Sequence, residues 1–201
     1  GRDPDLVLTD GYDPVWQSLQ NWDIPVLVLQ PKDIYGVFRD IQVIGKVMNQ
    51  EKVAARLVAE LQERLNKVVE RTARADSKPT VFYEIDATNP VIPWTGGPGS
   101  FVDILISLAG GRNIVETPGA WVQLSLEELF YADPDIVVLG DYPYVKPQQV
   151  GERGGIWPML TAVQSGRVYA ISDPSLTSRT GPRIIDGLEE LARIIHPELF
   201  P

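Results

Sequence analysis

Residues 51–75 read EKVAARLVAELQERLNKVVERTARA, and this stretch decides how the rest of the chain is organised. Its apolar side chains recur at helical spacing and predict one stripe on an otherwise charged helix, formed by Val53, Leu57, Leu61, Leu65 and Val68. About 25 residues at ~1.5 Å each give roughly 37 Å, which is much longer than an average helix. We therefore expect this helix to reach from one subdomain to another.

The segment before this helix predicts a small α/β unit. Residues 5–9 and 24–29 have the apolar runs of buried strands, and residues 15–22 between them have the pattern of a short helix. This order is that of a β-α-β unit, and residues 34–48 then predict a further helix. Because the first strand begins almost at the first residue, we expect the chain to be a fragment or a processed form of a longer one.

Beyond residue 78, predicted strands alternate with predicted helices. The strands are 80–85, 136–140 and 167–171, and the helices are 101–109, 126–132, 157–163 and 183–195. Ser100 is a predicted N-cap, and Ser125 and Glu128 form a predicted capping box. Residues 141–155 and 172–182 are predicted loops. Such alternation predicts a mostly parallel sheet with helices on both faces, so the fold class is α/β. The predicted domains are 1–49, the helix 50–77, and 78–201.

The composition argues against several classes of function. The chain has 201 residues, a formal net charge of −9, one histidine and no cysteine. A strong negative charge repels phosphate backbones, so we predict no nucleic-acid partner. Without cysteine and with a single histidine, the chain cannot build a cysteine-type or histidine-rich metal site. We predict no metal ligands, no cofactor, and no segment that spans a membrane.

Aromatic and polar side chains lie on the loops around the ends of the predicted strands in the larger domain. The residues that we single out there are Trp94, Thr95, Trp121, Tyr142, Tyr144 and Arg179. In open parallel sheets, ligands bind outside the carboxyl ends of the strands. Several aromatic rings with one arginine describe a surface that stacks on a large ligand. They do not describe a catalytic centre.

Each of these features has a purely structural alternative. A single tryptophan on a loop is often a packing residue, and we assign Trp157, which has apolar neighbours, to the core. We interpret His196 as a helix-end or packing residue. The glycines of GGPG at 96–99 lack the Lys-Ser/Thr that follows a phosphate-binding loop. Acids such as Glu84 and Asp86 are expected on the surface of so acidic a chain.

Segments along essentially the whole chain carry a family resemblance. They include DPDLVLTD at 3–10, GPGSFVDILISLAGGRNI at 97–114, WVQLSLEEL at 121–129 and ADPDIVVLGD at 132–141. Together they resemble the periplasmic-binding-protein family with a helical backbone, the substrate-binding components of ABC importers for cobalamin, ferric siderophores and haem. The resemblance implies two Rossmann-like α/β lobes joined by one long rigid helix, with the ligand in the cleft between them. It also implies that the first part of the N-terminal lobe is absent from this chain.

The sequence WVQLSLE at 121–127 matches a pattern of the cobalamin-binding members. The resemblance implies that Trp121 lies over the bound corrinoid and that Glu127 docks into an arginine pocket of the permease. A carboxylate in the first turn of a helix is favoured by the helix dipole, which suits that role. The first lobe offers no clear match for a second docking glutamate, only Asp10 and Asp13, with Tyr12 as a weaker ligand contact.

The expected protein is a non-catalytic receptor, periplasmic or extracellular, that delivers a metal chelate to the permease subunits of an ABC importer. A lipid anchor on the full-length protein, the oligomeric state, and the choice among corrinoid, ferric siderophore and haem stay open. One alternative is a chelatase-like metal-handling enzyme on a similar scaffold, in which Asp86 or Asp141 would handle metal or protons. A third is a structural or interaction module.

Overall fold

A computed structural model describes residues 4–12, 14–20, 24–140 and 145–200, without the side chains of residues 15 and 20. The chain divides into two compact units, Gly1–Ala55 and Arg56–Pro201. Each is considered by itself, and the predicted domain boundaries stay a prediction. Within the described ranges, no helix combines the length and the apolar content needed to cross a bilayer.

The first unit begins with the predicted β-α-β arrangement. Strand β1 (Val7–Thr9) and strand β2 (Val26–Val28) pair in parallel, and helix α1 (Val15–Gln20) connects them. Helix α2 (Ile34–Val47) follows, and its N-cap Asp33 accepts a hydrogen bond of 2.6 Å from the backbone N–H of Gly36. The sequence prediction for these elements is confirmed, with strands shorter than the apolar runs.

The long helix is α3 (Glu51–Thr72), which begins in the first unit and continues into the second. Its buried apolar residues are Ala54, Val58, Leu61, Leu65 and Val68, and Thr72 at its last position is buried as well. The predicted stripe is therefore wrong in its N-terminal half, where Val53 is 50% exposed and Leu57 is only half-buried. The reason is helical geometry: seven residues make nearly two full turns, so Ala54 lies on the face of Leu61, whereas eight residues carry Val53 away from it.

The second unit is built on a four-stranded sheet in which all pairs are parallel. Its strands, in spatial order, are β5 (Arg112–Asn113), β3 (Thr80–Glu84), β7 (Ile136–Leu139) and β8 (Val168–Ala170). A separate antiparallel pair consists of β4 (Trp94–Thr95) and β6 (Val122–Gln123). The sequence predicted β3, β7 and β8 but not the two-residue strands, which no periodicity can reveal.

Helices lie between these strands and after β8. They are α4 (Phe101–Leu108), α5 (Leu126–Ala132), α6 (Thr161–Gln164), α7 (Ser175–Ser178) and α8 (Ile184–Ile195), with 3₁₀ helices at Pro147–Arg153 and Trp157–Met159. Two predicted loops thus contain helical turns, Pro147–Arg153 and α7. At the first of them, proline at the first helical position supplies a φ angle already suited to a helix.

Local packing and capping predictions are confirmed at several positions. The hydroxyl of Ser100 accepts from the backbone N–H of Asp103 at 3.1 Å, and Ser125 with Glu128 forms the capping box. Trp157 is 1% exposed and packs in an apolar core cluster with Phe82 and Leu129. His196 caps the end of α8, where its buried Nε2 lies 3.2 Å from the carbonyl oxygen of Gly110.

Candidate ligand-binding site

The carboxyl end of β3 leads into a small antiparallel ribbon. The backbone N–H of Trp94 donates to the carbonyl oxygen of Asp86 at 2.7 Å, and on the other side Trp94 is paired with Gln123. Cross-strand partners in antiparallel pairs place their side chains on the same face. Asp86, Trp94 and Gln123 therefore form one row across this ribbon.

Two tryptophans meet on the exposed face of the ribbon. Trp94 is 37% exposed and Trp121 is 63% exposed. Their ring centroids are 6.5 Å apart at an interplanar angle of 76°, an edge-to-face contact. Trp121 precedes Gln123 by two residues and is thus a diagonal neighbour of Trp94. We call this pair of rings the tryptophan ledge. Large exposed rings in mutual contact are characteristic of binding surfaces.

The glycine-rich loop at 96–99 packs closely against residues 117–119, which precede Trp121. The backbone N–H of Gly97 donates to the carbonyl oxygen of Gly119 at 2.8 Å. A Cβ at Gly97 would lie 1.8 Å from the carbonyl oxygen of Thr117, so no residue other than glycine fits there. Asn113 supports the same loop by donating to the carbonyl oxygen of Gly96 at 2.8 Å. These glycines bring together the loops that carry Trp94 and Trp121.

Thr95 alternates with Trp94 and faces the opposite way. Its side chain is fully buried, and its hydroxyl has no hydrogen-bond partner within the described part of the chain. The ligand-binding role of Thr95 stays a prediction, and in the present arrangement its side chain does not reach the surface that the tryptophans share.

A buried ion pair that no sequence pattern indicates lies at the end of β3. Glu84, expected on the surface, is 0% exposed at the last position of β3, where it accepts two hydrogen bonds from Arg153, at 2.5 and 2.7 Å. The guanidinium of Arg153 lies 4.5 Å from the centre of the Trp157 ring, whose Nε1 donates to the carbonyl oxygen of Pro90 at 3.0 Å. These contacts join β3 to the loop that precedes Trp94.

The other predicted site residues are less closely connected. Arg179 is exposed immediately after α7, on the loop that follows β8. The segments that carry Trp94, Trp121 and Arg179 follow β3, β5 and β8 respectively, so each of these segments leaves the parallel sheet at its carboxyl edge. Tyr142 and Tyr144 lie outside the described residues, as does Asp141.

Glu127 lies in the predicted helix, and its role in docking to the permease stays a prediction. It is exposed in the first turn of α5, beside the capping box. In the first unit, the carboxylate of Asp10 accepts from the backbone N–H of Tyr12 at 3.1 Å, and Tyr12 is 83% exposed. Asp13 is not among the described residues. Across the described ranges, no cluster of three or more histidine, aspartate or glutamate side chains is arranged to hold a metal ion.

Comparison with known proteins gives consistent matches. The family described as periplasmic binding protein matches residues 2–174. The uncharacterized ABC transporter substrate-binding lipoprotein YvrC of Bacillus subtilis is 33% identical over 98% of this chain and 63% of its own length. A cobalamin-binding protein of Halobacterium salinarum is 28% identical over 98% of this chain and 54% of its own length. The chain thus spans somewhat more than half of these curated relatives.

Among solved structures, the periplasmic heme-binding protein RhuT from Roseiflexus sp. RS-1, in apo form, superimposes with a TM-score of 0.83. The two are 19% identical, and the match covers 98% of this chain and 77% of that one. This likeness shows that the chain has the α/β fold of that protein.

Proposed function

The chain belongs to the periplasmic binding protein family, and on this premise we propose that it is the substrate-binding component of an ABC importer. Its ligand is a large metal chelate, captured outside the cytoplasm. The observation that carries this proposal is the tryptophan ledge, because its two rings are exposed, in contact, and held at the edge of the sheet where ligands of parallel α/β folds bind.

The ledge suits a broad, flat ligand. Aromatic side chains supply large contact areas at low cost in conformational entropy, and two edge-to-face rings offer both a ring face and a ring edge. Arg179, at the same edge of the sheet, supplies a positive charge for a carboxylate, phosphate or chelating oxygen of the ligand. Tyr142 and Tyr144 complete the proposed set of ligand-binding residues by their place after β7 in the sequence.

Two relatives support a chelate as the ligand. One is named for cobalamin and the other for haem, and both ligands are flat macrocycles that hold a metal ion. Location outside the cytoplasm is supported by the family and by the relative named as a lipoprotein. The chelatase-like alternative gains no support, because these relatives are binding proteins and transporter components.

Glu127 is the proposed contact with the permease. Its carboxylate is exposed in the first turn of α5, next to a capping box that fixes the start of that helix. A carboxylate held in this way is available to an arginine of another protein, and such charge-assisted hydrogen bonds are among the stronger ones. Glu127→Ala should therefore leave ligand affinity unchanged and reduce uptake through a reconstituted importer.

A panel of chelates tests the proposal. The chain is titrated with cyanocobalamin, haemin and a ferric hydroxamate by calorimetry, and its melting temperature is measured with each. A ligand that binds only the folded state stabilises it by about 2.7 kcal/mol at a concentration one hundred times its Kd. At least one chelate should bind and raise the melting temperature. Failure of all three would contradict the proposed function.

A further inference from the structure

Two polar side chains flank the tryptophan ledge. In the row across the ribbon, Asp86 is the partner of Trp94 on one side and Gln123 is its partner on the other. Directly opposed side chains of this kind have Cβ atoms about 5 Å apart. A flat ligand resting on the ledge would therefore place its periphery within reach of both polar groups.

Asp86 is held in a fixed orientation with one oxygen uncommitted. Its Oδ1 accepts from both the backbone N–H and the hydroxyl of Thr88, each at 2.6 Å. Its Oδ2 has no hydrogen-bond partner among the residues that the structure describes. The hydrogen bonds from Thr88 lower the pKa of Asp86 below its ordinary value of 3.8, so the carboxylate is ionised at neutral pH. An ionised carboxylate only accepts hydrogen bonds.

Gln123 is exposed and complements this acceptor. Its carboxamide carries both a donor and an acceptor and has no net charge. Within the described ranges, no hydrogen bond engages its side chain. The ledge is thus bordered by a fixed negative charge on one side and by a neutral amide on the other.

We propose that Asp86 and Gln123 select ring ligands whose periphery carries neutral carboxamides over those whose periphery carries carboxylates. The inference rests on the proposed function and narrows its ligand class. A carboxamide N–H donates to Oδ2 of Asp86, and Gln123 pairs with a second amide. A peripheral carboxylate meets the charge of Asp86 and has no proton to donate. Corrinoids carry carboxamides around their ring, whereas haem carries propionates, so the favoured class is the corrinoid.

A matched pair of ligands isolates this effect. Dicyanocobinamide and dicyanocobyrinic acid share one corrin ring, but the first carries peripheral amides and the second carries carboxylates. Calorimetric titration of both measures the ratio of their Kd values for the wild-type chain, Asp86→Asn and Glu70→Gln. Asparagine keeps the shape of Asp86 and accepts the same bonds from Thr88. Glu70 is exposed on α3, so its variant removes one negative charge far from β4 and β6 in the sequence.

The wild-type chain should bind dicyanocobinamide about tenfold more tightly than dicyanocobyrinic acid, or more. A factor of ten is the scale of one charge-assisted hydrogen bond. Asp86→Asn should reduce this preference to within about threefold, while Glu70→Gln keeps it. An unchanged preference in Asp86→Asn, or equal binding of both rings by the wild type, overturns the inference. Binding of haemin alone overturns it too and leaves the proposed function standing. If no corrinoid, haemin or ferric hydroxamate binds, both fail.

Discussion

The carboxylate of Glu84 and the guanidinium of Arg153 form a bidentate ion pair in the interior of the second unit. Glu84 is fully buried, and the side chain of Arg153 is 9% exposed. The pair stands where the central strand β3 ends and the loop toward the tryptophan ledge begins. The pair therefore helps to fix the position of that loop. Arg153 stacks on the ring of Trp157, and Trp157 in turn donates a hydrogen bond to the carbonyl oxygen of Pro90 in the loop.

Breaking this buried pair should lower the free energy of unfolding more than breaking an ion pair on the surface does. Arg153→Met leaves the Glu84 carboxylate buried without its cation, and such changes cost about 3–5 kcal/mol. The loss in the double variant Glu84→Gln/Arg153→Met should be clearly smaller than the sum of the single losses, because the buried charge is gone. Urea denaturation monitored by circular dichroism measures the loss in Arg153→Met, in Glu84→Gln and in the double variant.

Arg56→Met is the control, because Arg56 and Glu60 form an exposed pair at 3.9 Å within α3. Pairs of this kind contribute roughly 0–1 kcal/mol. If Arg153→Met were no more damaging than Arg56→Met, the interior pair would have no role in holding the loop.

Replacement by valine should change the free energy of unfolding in different ways at Thr95 and at Thr177. Both are buried, but the Thr95 hydroxyl has no partner within the described part of the chain, whereas that of Thr177 lies 2.6 Å from the hydroxyl of Tyr83. Thr95→Val replaces an unsatisfied polar group and should leave the free energy of unfolding unchanged or raise it. Thr177→Val should lower it by about 1–2 kcal/mol. Chemical denaturation of the two variants decides this, and a larger loss for Thr95→Val would mean that its hydroxyl is bonded.

The capping box of α5 predicts a specific pH dependence. Hydrogen bonds from the hydroxyl and backbone N–H of Ser125 lower the pKa of Glu128 from its ordinary value of 4.5. A lowered pKa in the folded state means that the carboxylate stabilises the fold at pH values above 4.5. This contribution disappears as the pH falls through the lowered pKa.

The stabilisation by the Glu128 carboxylate is measured from the melting temperatures of the wild type and Glu128→Gln between pH 7 and pH 3. The wild type should be the more stable at pH 7, and the difference should shrink below pH 4.5. Glu127→Gln removes the neighbouring carboxylate and leaves the capping box intact, so it controls for the charge alone. A difference that grows toward acid would contradict the assignment.

Much of the fold follows from short-range patterns in the sequence. Ser125 and Glu128 are three residues apart, and apolar runs such as 136–140 identify the buried strands directly. The predicted stripe of α3 includes Val53, but the helical repeat places Ala54 on the buried face instead. The size of an apolar side chain therefore indicates its burial less reliably than its helical spacing does.

The site depends more on contacts that are distant in the sequence. The sequence predicts Trp94 and Trp121 on loops, but nothing in it indicates that the two rings touch. Their contact depends on β4 and β6, which have two residues each and exist only because the loops meet. Glu84 and Arg153 are 69 residues apart, so neither reveals the other. The position of Gln123 beside Trp94 follows from the cross-strand register alone, which no pattern in the sequence shows.

The most direct test of the tryptophan ledge is the affinity of Trp121→Ala for whichever chelate binds the wild-type chain. Calorimetry should show a loss of at least about tenfold, equivalent to ~1.4 kcal/mol, because truncation removes most of the apolar contact area of one ring. Tyr131→Ala is the control, since Tyr131 is 79% exposed on α5 and should leave affinity unchanged. Equal affinities of the wild type and Trp121→Ala would contradict the claim that the ledge binds the ligand.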